Sequence, residues 1–297
     1  MKIQTKKINL NHSFVFFLLI NIFSLLFMKI DNSIISPVVC LSLILIIGVS
    51  HGALDHEKGK KLLQSLKIYN MFAFYFSYTI FAIIIVIFWI LFPTATLIVF
   101  LIIASFHFGK EDSEFIVKRS NIDLIYFFKG SLVITAPLLF NKTETLDIFS
   151  SLNFDVSQSI FVLDEFLYTL LILSFFSNII ISKNKKIDIK SLLLMDFMSI
   201  LLLNYFFNPI IAFTIYFCFL HSIRHSIKLS NELNQNNLIM GFKEFLIKAL
   251  PLTILTAFLF LISLLLLKNY YFFDDAISKV IFIGLASLTF PHILLEY

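Results

Sequence analysis

The chain is short of the residues on which water-soluble enzymes depend. Only 14% of its 297 residues are charged, where soluble domains carry about 25%. It has two cysteines, Cys40 and Cys218, both inside apolar runs, so neither a disulfide framework nor a CxxC metal motif is open to it. Arginine is confined to Arg119 and Arg224, and the net charge of +4, carried mostly by lysine, is too weak to indicate a nucleic-acid partner. No Gly/Ser linker or low-complexity tract interrupts the sequence, so one integral membrane domain over residues 1–297 is expected. What is present in excess is hydrocarbon: 59% of the residues are hydrophobic and 38 are Phe. A soluble fold of this length cannot cover that much apolar surface. The expected fold class is an all-α, polytopic transmembrane helix bundle.

Runs of about 17–25 apolar residues are long enough to cross the bilayer as helices. Ten such segments follow one another, at 13–29, 34–51, 69–92, 94–109, 122–140, 160–181, 191–207, 209–226, 249–267 and 277–296. Pro93 and the Asn208-Pro209 pair mark tight breaks between neighbouring segments. The first run has a basic tip but no small-residue cleavage site after it, so it reads as a retained span. With the N-terminus in the cytoplasm, the inner connections collect Lys2, Lys6 and Lys7, then Lys58, Lys60, Lys61 and Lys67, then Lys110, Lys118 and Arg119. Further along they collect Lys183, Lys185, Lys186 and Lys190, then Arg224, Lys228, Lys243 and Lys248. The outer ones hold only Lys29, Lys142, Lys268 and Lys279, with Lys129 left inside a span. That asymmetry predicts a multi-pass protein of the cell (inner) membrane with both termini cytoplasmic.

Ionisable groups inside spans are costly, and each is a functional candidate. His12 lies at the cytoplasmic start of the first segment, where an interfacial role is expected. The other six histidines follow a pattern. His51 and His56 close the second segment, His107 the fourth, His221 and His225 the eighth, and His292 the tenth. All four segments run from outside to inside. At 1.5 Å per residue, their histidines lie roughly 18–24 Å in from the outer break, at one depth of a core about 30 Å thick. Histidines on four helices at a matched depth point to a metal site. Residues i and i+4 share a helix face, and His51 has Asp55 there, His107 has Glu111, His221 has His225 and His292 has Glu296. Metal-bound imidazoles usually give their second N–H to a carboxylate, so Asp55, Glu111 and Glu296 are expected behind the histidines or as ligands themselves. His56, five residues after His51, falls on another face and is a weaker candidate. Imidazole suits Zn, Cu, Fe and Ni, and spacing does not choose among them. Nor does it choose between His225 and His292 as a fourth ligand.

The residues around these histidines carry a family likeness. Gly48-Val49-Ser50-His51-Gly52-Ala53-Leu54-Asp55-His56 is the specific element. Phe106-His107-Phe108-Gly109 with Glu111-Asp112, the His221-Ser222-Ile223-Arg224-His225 pair, and Pro291-His292 with Glu296 accompany it. Together they resemble the Brp/Blh family of bacterial and archaeal membrane β-carotene 15,15′-dioxygenases, from the second segment to the C-terminus. One departure is Ser50, where the resemblance leads one to expect proline. The resemblance implies an Fe(2+) enzyme that uses O2 to cleave β-carotene at its central double bond into two molecules of all-trans-retinal. It implies His51, His107, His221 and His225 as the iron ligands, with His292 behind them or gating. It also implies a lipid bilayer setting and delivery of the product to a microbial rhodopsin. Phe106, Phe108, Tyr216 and Phe217 are candidate walls of a substrate slot. The competing expectations are a metal or proton-coupled transporter and a membrane iron hydroxylase or desaturase of lipids. The latter would require more histidine clusters than the single HxxxH found here.

Overall fold

A computed structural model describes residues 2–27, 36–117, 122–155 and 163–296, apart from the side chains of residues 2–5, 50, 51 and 53. Every regular element among the described residues is helical. They are α1 (Lys2–Phe27), α2 (Pro37–Leu43), α3 (Asp55–Ser65), α4 (Met71–Leu91), α5 (Pro93–Glu111), α6 (Asp123–Phe140) and α7 (Lys142–Ser151). Then follow α8 (Asp164–Ser182), α9 (Ile187–Phe206), α10 (Pro209–Ile215), α11 (Ile223–Leu233), α12 (Leu238–Leu267) and α13 (Phe273–Glu296). Nine helices among the described residues are long and apolar enough to cross a membrane, one of them the continuous Pro209–Leu233 rod formed by α10 and α11. The protein is a multi-pass membrane helix bundle. Lys29, Lys118 and Arg119 of the charge tally lie outside the described residues.

The proline breaks fall where the sequence predicts them. Proline lacks an N–H and has its φ preset, so it is tolerated at the first helical position and ends whatever precedes it. Pro93 opens α5 directly after α4, and Pro209 opens α10 behind Asn208, whose side chain caps the amide of Ile211 at 3.0 Å. Three segments depart most from the prediction. The first begins earlier, because α1 already starts at Lys2. The ninth is longer: α12 starts at Leu238 and has 30 residues, about 45 Å of helix. The second is broken. After α2 the backbone takes one π-helical turn over Ile44–Gly48 and a 3₁₀ stretch over Val49–Leu54 before α3 begins. Gly48 and Gly52 weaken the α-helix there. A second π turn, Tyr216–Ser222, joins α10 to α11 and carries His221. The two irregular turns pack together, and a Cβ at position 48 would lie 2.5 Å from the Phe217 ring, so glycine alone fits that approach.

Close backbone approach also sets α5 against α6. A Cβ on Gly109 would lie 1.8 Å from the Tyr126 carbonyl oxygen, and one on Gly130 would lie 1.9 Å from that of Ser105. These reciprocal contacts hold the His107 turn of α5 firmly against α6. Deeper in, Arg224 of α11 forks onto Asp196 of α9 at 2.9 and 3.1 Å and donates to the Ser13 hydroxyl of α1 at 2.8 Å. Bidentate pairing of this kind is how arginine is accommodated away from water. The opposite ends of the helices are tied by side-chain bonds to backbone carbonyls: Asn141 donates to that of Phe207 at 3.1 Å, and Trp89 to that of Leu152 at 3.3 Å. Leu, Ile and Phe side chains of α4, α8 and α12 face outward in numbers that only a lipid surroundings accommodates.

Candidate metal centre

His107 comes from α5, His221 from the second π turn, His225 from α11 and His292 from α13. None is more than 3% exposed. Their rings converge: the His107 centroid lies 5.2 Å from that of His221 and 5.3 Å from that of His292, and His225 lies 5.7 Å from His292. Donor atoms of His107, His292 and Glu296 all fall within 4.8 Å of one another, and so do those of Glu111, His225 and Glu296. Glu296 joins the two sets. Its Oε2 is buried with no hydrogen-bond partner among the described residues, while Oε1 receives the ammonium of Lys58.

Three carboxylates stand behind three of the histidines, each at Nδ1. Asp55 is 2.7 Å from Nδ1 of His292, Glu111 is 2.6 Å from that of His225, and Asp112 is 3.2 Å from that of His221. An ionised carboxylate only accepts, so Nδ1 carries the proton and Nε2 presents its lone pair. This is the arrangement of a metal-bound imidazole. The partners differ from the expected ones. Glu111 serves His225 of α11 rather than His107 four residues before it, and Asp55 serves His292 of α13. Asp112 fills the place expected of an i+4 partner for His221. An i+4 side chain sits one turn further along the same face, where it meets the neighbouring helix.

The His221 ring is fixed on all sides. The Phe108 ring meets it edge-on at 4.9 Å and 82°, and that of Phe217 stacks at 5.8 Å and 15°. Tyr216, expected as a slot wall, donates to Asp112 at 2.8 Å and so orients the carboxylate. Burial works against a charge on Asp112. The hydrogen bond with His221 and the positive charges of Arg224 and Lys129 outweigh it and hold the carboxyl below its ordinary range. Lys228 anchors Glu111 at 2.9 Å and Glu114 at 2.7 Å toward the end of the bundle.

The remaining sequence expectations fall as follows. The His51 side chain lies outside the described residues. His56, with Nε2 3.9 Å from Glu57, lines a cavity beside Asp55 and His292 rather than the histidine cluster itself. Phe217 lines that same cavity, whereas Phe108 lines another and Phe106 faces away, into a third between α5, α6 and α13. Phe106 is therefore not beside the cavity that reaches His292. His12 donates from Nε2 to the Phe219 carbonyl at 2.8 Å, an interhelical tie. Lys129, left inside a span by the charge tally, is buried in α6. Three residues went unnoticed in sequence: Tyr78, which donates to Asp55 at 2.9 Å; Lys58; and Asp112 as the holder of His221. Only the adjacency of Glu111 and Asp112 hints at the last.

The family described as beta-carotene 15,15′-dioxygenase matches residues 42–297, which include every residue of this cluster. The chain belongs to the β-carotene 15,15′-dioxygenase family. It is also similar to the β-carotene 15,15′-dioxygenase of uncultured marine bacterium 66A03, with 26% identity over 266 residues, 86% of this chain and 90% of that protein. No solved structure matches. For a dioxygenase family the donor set is suitable: nitrogen and carboxylate oxygen converge, while Cys40 and Cys218 are buried in the apolar core.

Proposed function

We propose that this member of the β-carotene 15,15′-dioxygenase family is a non-haem iron enzyme that cleaves β-carotene at its central double bond, using O2, to two molecules of all-trans-retinal. The observation that carries this reading is the buried set of His107, His221, His225 and His292, three of them backed at Nδ1 by carboxylates. The ligands we propose are His51, His107, His221 and His225. We add His292, held by Asp55 in the manner of the others, and Glu296, whose Oε2 is buried with no hydrogen-bond partner among the described residues. Bound there, Fe(2+) would supply the redox chemistry that lets dioxygen react with a polyene double bond.

The chain's own residues do the rest. Asp55, Glu111 and Asp112 keep Nδ1 protonated, so that each imidazole offers Nε2 inward and is more basic. Phe108 and Phe217 stop the His221 ring from turning. The low exposure of all four histidines keeps bulk water away from a reactive centre. Lys58 and Lys228 balance the acidic charge on Glu296 and Glu111, which otherwise would stand buried and unneutralised. Membership in a dioxygenase family favours catalysis over the transport reading. We place the protein in the cell (inner) membrane with both termini cytoplasmic, on the lysine asymmetry, and propose a microbial rhodopsin as the receiver of its retinal.

Expression in a bacterium that accumulates β-carotene tests this directly. Loss of colour with retinal in the extract is expected. Unchanged carotene in cells that hold the folded, iron-loaded protein would sink the proposal.

A further inference from the structure

A cavity of about 390 Å³ lies beside the metal centre, bounded by three helices: α4 (Phe74, Tyr78, Ala82), α12 (Leu252, Thr256) and α13 (Leu288). Its inner end is formed by Asp55, His56 and His292, and by Gly48 and Phe217 of the two irregular turns. The cavity therefore touches the centre directly, through an imidazole held by Asp55 and a ring stacked on His221. Its other side is the bundle's surface. Tyr75, Leu255 and Leu259 on its rim are 42%, 52% and 53% exposed. The helices α4 and α12 both pack on α13, and the cavity separates them.

We propose that this cavity is the binding site for one half of a long polyene hydrocarbon, which reaches it sideways from the bilayer between α4 and α12. The inference rests on the carotene-cleaving reading and deepens it by locating the substrate. Three features favour a bilayer-dissolved hydrocarbon as the occupant. The lining is mostly hydrocarbon and aromatic ring, interrupted by the small hydroxyls of Thr79, Thr256 and Thr289, and Tyr78 spends its hydroxyl on Asp55 and on the Leu288 carbonyl at 3.3 Å. The rim is lipid-facing apolar helix, so a hydrocarbon needs no passage through water. The cavity runs from His292 to Leu285 along α13 and from Leu252 to Leu259 along α12, about 10 Å in each case. That length suits part of an extended chain whose reacting bond stays at the His292 end. Gly48 has a place in this arrangement, because a side chain there would push Phe217 into the space.

The test reads binding apart from cleavage. Iron-loaded protein is kept under argon in phosphatidylcholine vesicles containing β-carotene, and the carotene retained per protein after affinity purification is measured by absorbance. Ala82→Trp on α4 and Thr256→Trp on α12 should each cut the retained carotene about tenfold. Ile254→Trp, on the outer face of α12, should leave it unchanged. Iron content equal to wild type marks a folded variant. If the Trp variants lose iron, Ala82→Leu and Thr256→Leu replace them, with about a threefold drop expected. Wild-type retention by folded Ala82 and Thr256 variants would overturn the proposal, as would a wild type that retains no carotene. A wild type that retains carotene but forms no retinal once air is admitted would instead overturn the functional reading and leave the cavity standing.

Discussion

Two consecutive stretches of the chain behave in opposite ways. The Pro209–Leu233 rod, α10 to α11, is 67% buried over its most apolar window, whereas α12, its successor, is 6% buried. The buried one is the less apolar. It carries His221, Arg224 and His225, while α12 offers Ile, Leu and Phe to its surroundings. In water the more apolar helix would be the inner one. In a bilayer the tails solvate hydrocarbon as well as a protein interior does, so burial is reserved for what lipid cannot solvate. The inner rod is organised by polar pairings, and those pairings are the candidate site. The outer helix is held mainly through Gly241, whose Cβ position lies 2.0 Å from the Ser230 carbonyl, and through Phe245 and Ala249.

Substitutions that probe this contrast rank by their distance from the histidine cluster. The largest effect is expected for His107→Ala: iron content and retinal formation should both fall below detection, and an active variant with full iron would refute the ligand set. Next come Asp112→Asn and Glu111→Gln, which keep shape but remove the anionic acceptor behind His221 and His225. Each should lower iron affinity or turnover roughly 10–100-fold, measurable by iron titration followed by a retinal assay. Arg224→Met leaves Asp196 buried without its partner and should cost about 3–5 kcal/mol of stability, read as a lower unfolding temperature in detergent. An unchanged temperature would show that the pair is dispensable. Tyr78→Phe removes one hydrogen bond to Asp55, a loss of about 1 kcal/mol; turnover should fall a few-fold with iron retained. Smallest of all, Ile254→Ala on α12, at a position 59% exposed, should change stability by no more than about 0.5 kcal/mol. A large effect there would mean that α12 contributes more than a lipid-facing wall.

Much of the inner rod was legible in the sequence, and for a physical reason. Proline breaks at Pro93 and Pro209 fix where helices start, so counting residues from them gives a depth for His107 and His221, and a like count from Ala276 gives a similar one for His292. The pairing of carboxylates was not legible. Helical spacing says that Asp55 shares a face with the residue at i−4, but which helix lies against that face is decided by packing, and Asp55 turned out to meet α13. Tyr216 reads as one more aromatic in an apolar run, because nothing local shows that its hydroxyl meets Asp112 some hundred residues earlier. The π turns were equally hidden, since Gly48 signals a weak helix without saying that Phe217 fills the gap. The lateral cavity is a property of how α4, α12 and α13 lean apart, and no motif encodes it.

We propose that the buried histidine and carboxylate cluster holds the iron that cleaves β-carotene at its centre. It is tested most directly by the ratio of retinal formed to β-carotene consumed by the purified protein in air, before chelation, after chelation, and after ferrous iron is restored. Two retinals per carotene, lost with the chelator and recovered with iron, is the predicted result. Cleavage that survives removal of the metal, or one that yields longer aldehydes in place of retinal, would contradict it.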